Sequence, residues 1–171
     1  MSRIWNAAPD GEHGTMTPAV KTLQRAKVDF EIHRYSVAAA ADETFGETVA
    51  HAIQRQPEQV FKTLIAELDN GELVVAVVPV FARLDMRALA KAAGAKRASM
   101  ADPAQAEKAT GYVTGGISPF GQKKRLRTFV DASAANQASV CVSGGKRGIQ
   151  LELAPAVLTK QTNASLAPLH N

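Results

Sequence analysis

Residues 60–80 read VFKTLIAELDNGELVVAVVPV, and this stretch sets the architecture. The Asn-Gly step in Asp69-Asn70-Gly71 favours a tight turn, and the runs on either side are rich in β-branched and other apolar residues. The pattern predicts two strands joined as a hairpin. A hairpin with one face in water alternates apolar and polar residues, whereas this one is apolar on both faces and therefore belongs at the centre of a covered sheet.

The covering elements are legible on both sides. Upstream, Thr17-Pro18 pairs an N-cap with proline at the first helical position, and Val20, Leu23 and Ala26 follow at helical spacing. In VDFEIHRY, Val28, Phe30 and Ile32 alternate with Asp29, Glu31, His33 and Tyr35, which predicts a strand with Tyr35 pointing away from its apolar face. Thr44 and Glu47 form a capping box before Val49, Ala52 and Ile53, and Pro57 closes that helix. Downstream, Asp85 caps a helix that stops at Gly94, and Asp102-Pro103 with Gln105 opens another that stops at Gly111. KRASM between them is a short strand. RLRTFVD, ASVCVS and IQLEL are further strands, the last ending at Pro155, with GGKRG as a turn. Strands and helices mix without a regular βαβα rhythm, so the expected fold is α+β, a single domain on a strongly curved mixed sheet or barrel flanked by helices.

At 171 residues, with 46% hydrophobic and 21% charged residues, the chain is long enough for one domain with a full core, and no apolar run is long enough to span a bilayer. Lys+Arg 20 against Asp+Glu 16 gives a net charge of +4, a bias that permits a polyanionic partner. The single Cys141 cannot close an intramolecular disulfide and no secretory leader is recognisable, so a cytoplasmic location is expected. Residues 1–15 are polar and aperiodic and read as a loosely held extension before Met16.

Candidate chemistry is concentrated in three places. Lys62 lies in an otherwise apolar strand: it either projects into a pocket to hold an anionic or carbonyl group, or snorkels at the strand end. The segment GYVTGGISPFGQKKR at 111–125 carries Gly115, Gly116, Ile117 and Ser118. Gln122 and Lys124 stand where a phosphate loop needs lysine and a magnesium-binding hydroxyl, so that motif is rejected. What remains is a glycine pair that either turns before a strand or lets backbone approach a ligand. SGGKRG at 143–148, with Ser143, Gly144 and Gly145, poses the same choice. Lys123, Lys124, Arg125 and Arg127 form the dense basic run, and Lys146 and Arg147 a second pair. They are a solvated face, or a phosphate-gripping rim if the two glycine loops converge. Cys141, between valines, reads as a buried thiol, and the scattered histidines offer no zinc motif.

FKTL at 61–64, the long glycine segment at 111–125 and SGGKRG at 143–148 occur in the order found in the YbaK family of bacterial Cys-tRNA(Pro) deacylases, related to the editing domain inserted in many prolyl-tRNA synthetases. The resemblance runs from MTPA at Met16 to about Thr159, past ELAP, and implies a domain over 16–160 with a C-terminal tail at 161–171. It further implies hydrolysis of the ester that joins a wrong amino acid to the tRNA 3′ end, with no metal and no cofactor. Lys62 would position the tRNA end and Tyr35 would be the matched tyrosine of the site. Gly115, Gly116, Ile117, Ser118, Ser143, Gly144 and Gly145 would line the pocket, the glycine pair offering N–H groups to the carbonyl. Lys123, Lys124, Arg125, Lys146 and Arg147 would meet the tRNA. The partners implied are aminoacylated tRNA(Pro) and a prolyl-tRNA synthetase, with no membrane and no DNA. The attacking group would be a positioned water or the substrate's own thiol. Two alternatives stand beside this: an Ala-tRNA(Pro) deacylase, and a non-catalytic module that binds tRNA ends or nucleotides.

Overall fold

The computed structural model describes residues 16–36 and 45–171. Along the chain run α1 (Pro18–Ala26), β1 (Glu31–Arg34), α2 (Phe45–Ala52), β2 (Phe61–Leu68), β3 (Leu73–Pro79), α3 (Met86–Ala93) and β4 (Ala98–Met100). Then come α4 (Pro103–Thr110), β5 (Arg127–Asp131), β6 (Val140–Ser143), β7 (Ile149–Leu153), α5 (Pro155–Thr162) and β8 (Ser165–Ala167). The caps follow the sequence: Thr17 Oγ1 accepts from Val20 N, Asp85 accepts from Arg87 N and Ala88 N, and Gly94 and Gly111 end their helices in the left-handed conformation. Asp102 precedes α4 without a side-chain cap bond. The expected box partner Thr44 lies outside the described residues.

The hairpin β2–β3 is the centre of a five-stranded mixed sheet, ordered β4-β2-β3-β5-β8. β2 is antiparallel to both neighbours, while β5 runs parallel to β3 and β8 parallel to β5. Both faces of the hairpin are covered. Phe61, Ile65, Val75 and Val77 pack into a core shared with α1 and the second sheet, whereas Ala66, Val74, Ala76 and Val78 pack against Leu89 and Ala93 of α3. The second sheet is three-stranded, β1-β7-β6, and antiparallel throughout. The expected fold class is the observed one, but the barrel is not closed: among the described residues the two sheets meet at one parallel bridge, Val60 to Cys141.

Residues 161–171, expected as a tail, are part of the fold. β8 extends the large sheet, Leu169 is fully buried, and buried Asp131 accepts from Leu169 N at 2.8 Å while its other oxygen accepts from Ser133 N. A buried carboxylate needs such donors, and this one obtains one from its own turn and one from the end of the chain.

Candidate active site

The site lies where β2 lacks a paired strand among the described residues. β4 pairs only with Ala66–Leu68, Ala101 N donates to Ile65 O, and β6 touches the strand again only at Val60. Between those points no strand of the described residues pairs with this edge of β2. A cavity of about 340 Å³ wraps this edge, reached by Lys62 and Thr63 of β2, Gly46 and Val49 of α2, Ala101 and Pro103 at the start of α4, Thr114, Gly115 and Ile117 of the long loop, and Ser143 and Gln150 of the small sheet. Lys62 and Thr63 point to opposite faces of a strand, and both border the cavity because it passes around the edge.

The two glycine loops converge. A Cβ at Gly116 would stand 2.9 Å from Lys146 Cα, and one at Gly115, whose φ is +97°, would stand 2.9 Å from Arg147 Nη2. The loop is held from within: Tyr112 Oη donates to Phe120 O at 2.6 Å, and Thr114 N donates to Glu107. The second loop is fixed by Thr17 Oγ1 donating to Gly144 O at 2.6 Å.

Several expected roles are redistributed. Lys62, Gly115, Ile117 and Ser143 line the cavity, whereas Tyr35, Gly116, Ser118, Gly144 and Gly145 do not. Gly116 N is bonded to Val113 O, Gly144 N to Ile149 O and Gly145 N to Ser143 Oγ, so these amides close turns. Of the expected N–H pair, only that of Gly115 has no hydrogen-bond acceptor among the described residues. Ser118 is fully buried, its hydroxyl accepting from Phe120 N and its carbonyl from Gln122, which makes it part of the loop's scaffold. Tyr35 points away from the core that takes Phe30 and Ile32, as expected, and packs on the other side of the small sheet against the cluster of Ala50, Ile53, Val60, Val80 and Cys141. The regular strand stops at Arg34, and Tyr35 N donates to Gly148 O just beyond it.

The basic residues divide. Arg147 lies over Gly115, which lines the cavity, without lining it itself. Lys123 N and Lys124 N instead bond to Thr110 O and Ala109 O, at the C-terminal end of α4, while the N-terminal end of α4 lines the cavity. The lining reaches Ala106, so the backbone of the exposed lysines is held about one helical turn beyond the cavity wall.

Lys62 is the charged side chain of the lining, which has no carboxylate, imidazole or thiol among the described residues. Cys141 is fully buried, and burial, with the nearby Glu152 charge, pushes its thiol up to about 12. It is a core group, as the sequence suggested. Glu31, His33 and Glu152 approach one another closely enough for a metal, but Glu152 is already engaged by Arg55 at 2.8 Å, by His33 at 2.7 Å and by the Ser139 hydroxyl. That cluster is an ion-pair network tying the chain after α2 to the small sheet.

Sequence reasoning missed Thr63 and Gln150. Both line the cavity, and Thr63 Oγ1 and Gln150 Oε1 are buried without a hydrogen-bond partner. Such an orphan costs about 1–3 kcal/mol, which a fold keeps only for a reason. The alternation in IQLEL did place Gln150 opposite the apolar face. It could not show that this opposite face borders a cavity.

The sequence pattern of a known family, described as the aminoacyl-tRNA editing domain, matches residues 40–160. The chain belongs to the aminoacyl-tRNA editing domain family. A protein of Enterococcus faecalis named "Putative Cys-tRNA(Pro)/Cys-tRNA(Cys) deacylase EbsC" is 36% identical over 153 residues, 90% of this chain and 92% of that one. Two solved structures share the editing-domain fold at 21% identity. One is of the hypothetical protein APE2540, with a TM-score of 0.80 over 91% of this chain and 100% of the other. The other is of a "putative trans-editing enzyme for prolyl tRNA synthetase", with a TM-score of 0.74 over 91% and 99%. The cavity of this editing domain is thus built from the same segments that carry the resemblance in sequence.

Proposed function

We propose that this editing domain removes cysteine from mischarged tRNA(Pro) by hydrolysing the ester at the tRNA 3′ end. The observation that carries the proposal is the cavity at the edge of β2, which presents Lys62 and the Gly115 amide and no carboxylate, imidazole or thiol among its described lining. Such a site binds and orients, and leaves the attacking group to water or to the substrate's thiol. In the overall reaction, water adds to the carbonyl carbon, the C–O bond to the ribose breaks, the ribose oxygen takes a proton, and free cysteine and tRNA leave. Lys62 holds the aminoacylated ribose end in the cavity, and the Gly115 N–H faces the carbonyl oxygen. Arg147 meets the nearest phosphate, with Lys123, Lys124 and Arg125 farther along the strand and Lys146 supporting the loop.

The relative's name supports cysteine as the amino acid, and the mostly small apolar walls, such as Val49, Val60 and Ile117, suit a side chain of that size. An apolar pocket discriminates by only about 1–3 kcal/mol per small group, so alanine is the nearest competitor. A cytoplasmic location follows from the substrate, and no helix among the described residues is long and apolar enough to cross a membrane. The deciding experiment measures deacylation of tRNA(Pro) charged with cysteine, alanine or proline, by wild type and Lys62→Ala. Cysteine release should dominate and fall at least about 100-fold in a Lys62→Ala protein that still melts cooperatively. Preferred release of alanine would assign the sister specificity, and release of no amino acid would leave a binding module. A synthetase partner is tested separately, by whether prolyl-tRNA synthetase co-migrates with the protein in the presence of tRNA(Pro).

A further inference from the structure

Three segments distant in sequence meet at the N-terminal end of α1. Thr17 Oγ1 donates to Gly144 O at 2.6 Å, a Cβ at Gly145 would stand 2.9 Å from Tyr112 Cε1 and 3.1 Å from Thr17 Cβ, and one at Gly121 would stand 2.7 Å from the carbonyl carbon of Pro18. The charge of these segments is one-sided. Residues 16–28, 108–125 and 143–149 hold nine of the chain's 20 Lys and Arg residues and none of its 16 Asp and Glu residues, so the remainder is more acidic than basic and the whole positive excess lies here. Glu107, just outside them, is already engaged by Thr114 N. On α1 the cations are Lys21 and Arg25, exposed and one turn apart, while Ala19, Val20 and Leu23 fill the core. Neither has an ion pair or a side-chain hydrogen bond among the described residues. α3, on the opposite face of the large sheet, carries the same two charges in Arg87 and Lys91. There carboxylates are interspersed: Asp85 caps the helix, Asp69 accepts from Lys96 N and Arg97 N, and Glu72 holds Arg127.

We propose that α1 is part of the tRNA-binding face, with Lys21 and Arg25 taking backbone phosphates of the acceptor end upstream of the acylated nucleotide. The inference rests on the reading of charged tRNA as the substrate and deepens it by naming the element that the strand crosses after it leaves the cavity. α1 starts behind the second glycine loop, whose Ser143 lines the cavity. A helix rises about 1.5 Å per residue, so Lys21 stands about 6 Å and Arg25 about 12 Å along the axis from Thr17. A surface of one sign, free of carboxylates, attracts a polyanion, whereas the mixed charges around α3 cancel at short range. Phosphate contacts position a nucleic acid without reading its sequence. α1 therefore adds affinity for tRNA of any identity and leaves the choice of amino acid to the cavity.

The test compares two double variants that each remove two exposed cations: Lys21→Gln with Arg25→Gln on α1, and Arg87→Gln with Lys91→Gln on α3. Both lower the net charge of +4 by the same amount, so any difference between them belongs to position. Binding of uncharged tRNA(Pro) is measured from about 50 to 200 mM salt, beside single-turnover deacylation of cysteinyl-tRNA(Pro). The α1 variant should bind at least about 3-fold more weakly, and its salt slope should flatten by about 1.4, at roughly 0.7 per single-strand phosphate. Its rate at saturation and its melting temperature should match wild type, and the α3 variant should match wild type throughout. An α1 variant that binds like wild type, an equal loss in both variants, or a collapsed rate at unchanged affinity would overturn the proposal. If the α1 double variant does not melt cooperatively, Arg25→Gln alone decides, with half the change in slope expected. Selective loss of binding in the α1 variant, with no charged tRNA cleaved even by wild type, would remove the deacylase reading and leave this face standing. Cleavage by wild type, with the α1 and α3 variants indistinguishable, would remove this face alone.

Discussion

At the scale of the residue, Gly115 and Cys141 make opposite demands. Gly115 holds φ at +97° beside the Arg147 guanidinium, so a β-branched side chain meets both backbone strain and a neighbour at 2.9 Å. Gly115→Val should lower kcat/KM at least about 10-fold and reduce stability by about 1–3 kcal/mol, read from deacylation kinetics and urea melts. Wild-type rates in that variant would show that the backbone here does not approach the ester. Cys141 lies in the apolar cluster behind the cavity, away from the reacting space. Cys141→Ser places a hydroxyl among valine, isoleucine and alanine side chains and should cost about 1–3 kcal/mol, while activity per folded molecule stays near wild type. A folded but inactive Cys141→Ser would bring back a protein nucleophile.

At the scale of the element, α4 acts as a spacer. Its first turn borders the cavity, and its last carbonyls accept from the backbone of Lys123 and Lys124, whose charges also suit a helix C-terminus. About one helical turn beyond the cavity wall, and outside its lining, the lysines are set to reach phosphates upstream of the acylated nucleotide and to leave the ester alone. Neutralising Lys123, Lys124 and Arg125 together should weaken binding of charged tRNA and flatten its salt dependence, with little change in the rate at saturation. Filter binding across a salt series, alongside single-turnover rates, separates the two effects. A collapse of the rate at unchanged affinity would place the run at the reacting centre. α2 is the other element that shapes the cavity: Gly46 approaches Val80 so closely that a Cβ there would stand 2.6 Å from Val80 Cβ, and Arg55 just beyond the helix is anchored on Glu152.

At the scale of the molecule, that anchor also governs acid stability. Burial raises the Glu152 carboxyl, but hydrogen bonds from Arg55, Ser139 and His33 outweigh it and take the group down to about 2. A folded pKa below the unfolded value of 4.5 means stability that is fully present above about pH 4.5 and is lost as pH falls toward 2. The contribution is up to about 3 kcal/mol, and Glu152→Gln should remove that part of the pH slope. Urea melts at pH 7, 4 and 2.5 measure it, and equal slopes in the two proteins would show that the network is not held in solution.

The sequence by itself determined the elements and the class. The Asn-Gly turn, the two-faced apolar hairpin, the Asp85 cap and the Gly94 and Gly111 stops are local, because each depends on backbone preferences or periodicity within a few residues. It also isolated Lys62 and the two glycine loops, since a cation in an apolar strand and paired glycines are anomalies visible without a partner. Only the tertiary structure decided which of those groups share one cavity. The gap between β4 and β6 along β2 among the described residues, the approach of Gly115 and Gly116 to Lys146 and Arg147, and the packing of Tyr35 beside Val60 and Cys141 all depend on contacts between distant segments. Gln150 looks like an ordinary outward position in its strand until another element covers it, and the last residues are held by the β5–β8 ladder and by the bond from Leu169 N to Asp131, far from them in sequence. Local preference is encoded residue by residue, whereas desolvation depends on what the rest of the chain brings near.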